Sequence, residues 1–300
     1  MEFTIPKPLV KNSVCGGIAT IFAWGVHHHP ESKLYNWSLR KLQDEKFELA
    51  RRMLLRYAKN STIWAPPPVE HNGLVVCPKE ISFDEIDIAT EGIIIRRGKY
   101  ADGVILHSIL DAFLFSPADC ATLILSYEDA NGQKKVIGAH ASRNSVINTS
   151  RFTTKTITRE HEGIVESVLS HVPDSQVVNV KAWIGIGISA GPHFAHNTTD
   201  KENPWNSAFI YYVREKYGNE CFMDDEKNGT LGWLDLKILV KKQLLLFGIP
   251  EENIEIDTVC TYLDRHPSGE HMWYSNVRNN EHEDNRREAY RNLVLVVRNY

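Results

Sequence analysis

The sequence lacks the features that would mark an exported, membrane-bound or nucleic-acid-binding chain. Its opening segment, MEFTIPKPLVKNSVCGG, has no basic region leading into a long apolar stretch, so no secretory leader is expected. No uncharged apolar run approaches the roughly 18 residues of a membrane helix. Lysine and arginine together number 34 against 38 acidic residues, a formal net charge of -4. The lysines are spread along the chain, so no basic face is expected to neutralise phosphates, and nucleic acid is disfavoured as a partner. Cysteine is scarce and unpatterned: Cys15, Cys77, Cys120, Cys221 and Cys260 are odd in number and without C-x-x-C spacing. That suits reduced thiols in a cytoplasm better than a disulfide framework. Glycosylation-type triplets at Asn36, Asn60, Asn148, Asn197 and Asn228 carry no weight without an export signal. Internal repeats, low-complexity tracts, Gly-x-Ser-x-Gly elbows and Walker motifs are all missing.

What remains is an ordinary globular composition: 300 residues, 42% hydrophobic and 24% charged, read as one domain over residues 1–300. Apolar positions at Leu39, Leu42, Phe47, Leu49, Met53, Leu54 and Tyr57 follow a helical period, stopped by the prolines of WAPPPVEHNG. GIIIRR, GVILHSI, AFLFS, TLILSYE and KVIGAHA read as strands, with EDANGQKK as a hairpin turn between the last two. A helix is expected over about residues 160–171, a strand over VVNVKAWIGIGIS, a helix from Asp235 to Phe247 stopped by Gly248, and strands at ENIEIDTVCT and NLVLVVRN. Glycines 185, 187 and 191 do not have the spacing of a nucleotide loop. Helices and strands mix without strict alternation, which points to an α+β layered sandwich of mixed β-sheets flanked by helices rather than a doubly wound sheet.

The chemistry concentrates in FSPADCATLIL (115–125) and GAHASRN (138–144). The hairpin between them sets Cys120 and His140 at neighbouring strand ends. Taken alone, each is a common buried residue type. His27, His28 and His29 are consecutive and so point different ways on a strand, and RNNEHEDNRRE reads as a solvated loop.

The ordered segments resemble the laccase-domain family, also called multicopper polyphenol oxidases and later assigned as purine nucleoside phosphorylases. ADC followed by a hydrophobic run and then HASRN is similar to that family's A-D-C-x-P and H-A-G-W-R-G. GVHHHPESKLYNWSL, AWIGIGIS, LGWLDLKILVKKQLLLFGI, VCTY and WYSNVRN match its other motifs in order. The resemblance implies a fold shared with the cytotoxic necrotizing factor deamidases. It also implies a zinc (copper in older descriptions) held by His71, Cys120 and His140, a ligand set that suits zinc with a fourth position open. The implied reaction is phosphorolysis or hydrolysis of purine nucleosides such as adenosine and inosine, with deamination in some members. Purine nucleoside and phosphate are then the small-molecule partners, with Asn36, Arg143 and Arg278 as candidate substrate contacts.

The departures bear on the same residues. The family's Gly, Trp and Arg after His-Ala are here Ser142, Arg143 and Asn144, and Val277 and Asn279 replace an Arg and an Asp in the later motif. Two alternatives follow: a metal-free Cys120 nucleophile with His140 as its base, or a non-catalytic relative that binds a metal or a partner.

Overall fold

The computed structural model describes residues 5, 7–25, 47–66, 71, 73–77, 88–90, 93–96, 100–152, 160–189, 195–197, 205–224, 231–281 and 291–299. In chain order the first half runs β1 (Val10–Val14), β2 (Ala19–Trp24), α1 (Phe47–Tyr57), β3 (Ser61–Trp64), β4 (Val75–Val76), β5 (Ile88–Thr90), β6 (Ile93–Arg96), β7 (Gly103–Leu106), β8 (Asp111–Phe115), β9 (Ala121–Glu128) and β10 (Lys134–Ala141). The second half adds α2 (Arg143–Val146), α3 (Ile164–Leu169), β11 (Lys181–Gly185), β12 (Ala195–Asn197), α4 (Asn206–Tyr217), β13 (Phe222–Asp224), β14 (Leu231–Leu234), α5 (Leu236–Leu246), β15 (Ile254–Ile256), α6 (Asn276–Glu281) and β16 (Leu293–Arg298).

These strands form two large mixed sheets and a small one. The orders are β1-β2-β16-β8-β3-β6-β5, β15-β11-β9-β10-β7-β4 and β12-β14-β13. Pairs β3–β6, β3–β8, β4–β7 and β11–β15 are parallel and the others antiparallel, so the α+β layered sandwich is the fold found.

The layering follows from the two-residue period of a strand. On β8, Phe113 and Phe115 enter one core cluster while Leu114 enters another with Met53 and Leu54 of α1. On β9, Ile124 joins Phe113 and Phe115, whereas Leu123 and Leu125 face Ile164, Phe209 and Leu239 of the helices beyond. Each central strand is therefore covered on both faces, which is why TLILSYE and NLVLVVRN read as unbroken apolar runs. The order is α1, seven-stranded sheet, six-stranded sheet, then α3, α4 and α5. Close approach of the sheets needs Gly138, because a Cβ there would lie 2.3 Å from Phe113 Cδ1. Val136, Gly138 and His140 alternate onto this inter-sheet face, and His140 is its last member before β10 ends.

The hairpin forms as expected, with Lys134↔Glu128 through Ala141↔Ala121 in register and Gly132 at φ 73° in the turn. Asp235 caps α5 by accepting from Lys237 N and Ile238 N, and Gly248 at φ 87° ends it. Other expectations are corrected or fall partly outside the described residues. The helix over 39–59 is seen from Phe47, residues 39–46 lying outside the described set. The strand read over 177–189 is shorter: Asp174–Asn179 is a 3-10 turn and only Lys181–Gly185 is extended. Gly187 adds an isolated bridge to Cys260. It is a packing glycine, since a Cβ would meet Ala121 Cα at 2.8 Å. The helix read over 160–171 shortens to Ile164–Leu169. Of RNNEHEDNRRE, read as a loop, residues 278–281 belong to α6 and 282–288 lie outside the described residues. Among the described residues no helix is long and apolar enough to cross a membrane.

Candidate active site

Three segments meet where β7 begins and β10 ends. Gly103 pairs with Ala139, which sets Asp102 beside His140, and the His140 N–H donates to the Asp102 carbonyl at 2.7 Å. The turn carrying His71 docks on the same spot: Asp102 N and Gly103 N both donate to Leu74 O, and Gly73 N donates to Asp102 Oδ2 at 2.7 Å. This docking holds Gly73 at φ 70° and His71 itself at φ 45°, a left-handed conformation that is uncommon for a residue with a side chain. Ionisable and nitrogen donor groups from distant parts of the chain thus end within one cluster.

Asp102 is its centre. The residue is 1% exposed, with Oδ1 3.3 Å from His140 Nδ1 and 3.8 Å from His71 Nδ1. The first is a hydrogen bond; the second, too long for one, is an electrostatic contact. Burial pushes the Asp102 carboxyl up, but hydrogen bonding to His140 and the positive potential of the imidazoles and the Gly73 N–H outweigh it and hold the group below its ordinary range. The two imidazole rings lie 5.6 Å apart, centroid to centroid. One ligand atom from each of His71, Asp102 and His140 falls within 4.8 Å of the others, near the spacing of donors around one divalent ion.

Cys120 joins through His140. Its position just before β9, opposite the end of β10, brings the thiol into hydrogen-bonding contact with the imidazole. Burial lowers the His140 pKa, but the negative charge of Cys120 and the hydrogen bonds with Asp102 and Cys120 raise it further, to about 10. The ring also lies against Phe115, 6.1 Å between centroids, so the imidazole is walled by an aromatic on the inter-sheet side. Two imidazoles and a buried carboxylate lie within one cluster, with the thiol touching it through His140; nitrogen and sulfur donors of this kind fit a borderline-soft divalent metal such as zinc.

The other sequence candidates fall differently. Asn36 and the 27–29 histidines lie outside the described residues. Arg143 opens α2, its guanidinium carbon 4.6 Å from the Trp205 ring centroid. Arg278 donates to the carbonyls of Thr261, Tyr262 and Trp273, which commits these N–H groups to clamping the backbone. Asn144 Oδ1 is buried without a hydrogen-bond partner. Asp119, next to Cys120, accepts from Thr261 Oγ1 and from the N–H groups of Asn276 and Val277. The ADC, VCT and YSNV segments are thereby tied into one knot.

Sequence reasoning missed Asp102. Its only signal was a charged residue abutting an all-apolar strand, and its role depends on the β7–β10 pairing, which no hairpin announces. A second thiol–imidazole contact was also missed: Cys77 Sγ lies 3.0 Å from His107 Nε2.

Comparison with known proteins places this arrangement. Neisseria meningitidis protein NMB0706 shares the fold at 17% identity and a TM-score of 0.60, with 94% of each chain covered. YlmD from Geobacillus stearothermophilus does so at 16% and 0.58, over 94% of this chain and 92% of its own. YfiH of Bacillus licheniformis, described as hypothetical, does so at 16% and 0.54, over 93% and 91%. Curated proteins gave no significant match. The family model for the multi-copper polyphenol oxidoreductase laccase matches residues 71–284, a stretch that begins at His71 and takes in Asp102, Cys120 and His140. The chain belongs to that laccase-domain family.

Proposed function

We propose that this protein is a zinc-dependent purine nucleoside enzyme, acting by phosphorolysis on adenosine- or inosine-type nucleosides, with hydrolytic deamination as a side activity. A single domain over residues 1–300, in the cytoplasm, carries it. The observation that supports this most is the convergence of His71 and His140 on Asp102 from separate parts of the chain, with Cys120 hydrogen-bonded to His140. Asp102 serves better as the outer carboxylate than as a ligand: its Oδ2 is taken by Gly73 N, and its Oδ1 holds His140 Nδ1 at 3.3 Å. A carboxylate in that position fixes the tautomer and orientation of a ligand imidazole. A bound zinc would supply Lewis acidity and a water ionising near neutral pH. Around it, the buried His140 and the Phe115 ring exclude solvent. Arg143, its guanidinium carbon 4.6 Å from the Trp205 ring centroid, is a planar cation of the kind that binds phosphate edge-on.

One observation favours a second reading. Cys120, His140 and Asp102 are hydrogen-bonded in series, the order of a thiol nucleophile, its base and the carboxylate that orients the base. Copper is the alternative metal. Metal quantification on purified protein, with a nucleoside panel assayed with and without phosphate, tests the assignment. Stoichiometric zinc together with phosphate-dependent release of purine base is expected, and His71→Ala should abolish both. A metal-free protein whose turnover survives His71→Ala would establish the thiol reading instead.

A further inference from the structure

Two hydroxyls link the imidazole of His71 to the backbone of His140. Ser142 Oγ lies 3.1 Å from His71 Nδ1 and 3.0 Å from Ser145 Oγ. Ser145 Oγ lies 3.0 Å from the His140 carbonyl. Ser142 N donates to Ser145 Oγ at 2.8 Å, and Ser145 N donates to Ser142 Oγ at 3.1 Å. All four groups of the serine pair sit in a box that caps α2, and both serines are buried, at 4% and 0% exposure.

The direction of this chain follows from counting lone pairs and protons. A hydroxyl has one proton to donate and two lone pairs to accept with. If Ser145 donates to the His140 carbonyl, its lone pairs take Ser142 N–H and Ser142 Oγ–H. Ser142 Oγ has then given its only proton away and taken Ser145 N–H, so its remaining lone pair must accept, and the one group facing it is His71 Nδ1. Every donor and acceptor in the chain is satisfied. Were Ser142 to donate to His71 instead, one of two losses follows: the two Oγ atoms face each other at 3.0 Å with no proton between them, or Ser145 turns its proton away from the buried His140 carbonyl, and an unsatisfied buried acceptor costs about 1–3 kcal/mol.

We propose that Ser142 is a positioning residue that fixes His71 as the Nδ1–H tautomer, leaving the Nε2 lone pair as the one His71 can offer a metal. Asp102 does the same for His140, whose Nδ1 it faces at 3.3 Å; the two imidazoles are oriented by different acceptors, one carboxylate and one hydroxyl. The hydroxyl is the device this chain has at the position where the family pattern has glycine. The inference rests on the metal reading for its consequence, though not for the hydrogen-bond chain itself.

The test uses the intact protein, stripped of metal, at pH 8. Nitrogen-15 NMR of the His71 ring reads the tautomer directly: Nδ1–H is expected in the parent protein, a shift towards Nε2–H in Ser142→Ala, and recovery of Nδ1–H in Ser142→Thr, which restores the hydroxyl. Zinc affinity, measured by competition with a chromophoric chelator, should fall at least about tenfold in Ser142→Ala, the range for loss of an outer-shell partner, and return to within about twofold in Ser142→Thr. An Nε2–H tautomer in the parent protein overturns the proposal without any variant, so misfolding of Ser142→Ala would not shelter it. An unchanged tautomer in a folded Ser142→Ala overturns it as well. Failure of the parent protein to bind zinc would sink the metal reading while leaving the NMR result to decide the tautomer.

Discussion

Zinc binding to the metal-free protein should expel a proton from His140. Its pKa of about 10 arises because the Cys120 charge and the hydrogen bonds with Asp102 and Cys120 overcome a burial effect of opposite sign. A ligand imidazole must be neutral. At about pH 7.5 the group is roughly 2.5 units below its midpoint, so removing the proton costs about 3 kcal/mol of apparent affinity. Apparent zinc affinity should accordingly climb about tenfold per pH unit from pH 7 towards 10. Calorimetric titrations in buffers of different ionisation enthalpy count the released protons, and about one is expected. NMR titration of the His140 ring in the metal-free protein separates this proton from one released by a thiol, with a midpoint expected near 10. The sign for folding follows from the same shift. A pKa raised above its unfolded value stabilises the metal-free fold fully below about pH 6.5, and that contribution is lost as pH rises through about 10. A His140 midpoint between 6 and 7, with pH-independent zinc affinity, would refute the argument.

Asp102→Asn keeps an acceptor for Gly73 N–H but removes the charge beside both imidazoles, so zinc affinity by chelator competition should fall about 10- to 100-fold and the His140 midpoint should drop. Gly138→Ala forces a Cβ to 2.3 Å from Phe113 Cδ1; denaturant titration should show a loss of about 1–3 kcal/mol. Asp119→Ala strips the acceptor from Thr261 Oγ1, Asn276 N and Val277 N, each then left short of a partner at about 1–3 kcal/mol per buried group, and the thermal midpoint should fall by more than in Gly138→Ala. Iodoacetamide at pH 8, followed by peptide mass spectrometry, should modify Cys77 and Cys120 before Cys15 and Cys221. Burial pushes the latter two thiols up to about 12, whereas Cys77 and Cys120 each have an imidazole at hydrogen-bonding distance.

Legibility in the sequence followed the range of the interaction. The β9–β10 hairpin was readable because Asn131-Gly132 is a local turn signal between two apolar runs, and its register then fixes Cys120 opposite the end of β10. The α5 boundaries were readable because Asp235 and Gly248 act on backbone groups a few residues away. α4 was not read: Phe209, Val213 and Tyr217 are its buried face, but Tyr211 and Tyr212 interrupt the polar side and blur the period. β1 and β2 were missed because VKNSV and ATIFAW are joined by the tight turn at Cys15–Ile18, where Cys15 adopts φ 54° without an Asn-Gly signature.

The site shows the same limit in sharper form. His71, Cys120 and His140 came from motif order, which locates residues along the chain but says nothing of how each is oriented. Arg278 is the instructive case: placed in a substrate motif, it holds three backbone carbonyls, because a guanidinium near a tight turn satisfies buried acceptors as readily as it binds an anion. Ser142 is the converse, a departure from the family pattern that first looks like loss of function. Once β10 ends and α2 begins beside the His71 turn, its hydroxyl faces the His71 imidazole at 3.1 Å and serves as its acceptor. Whether a changed residue weakens a site or rebuilds it therefore depends on the donors and acceptors that pairing between distant strands brings to it, and here that pairing is β7 with β10.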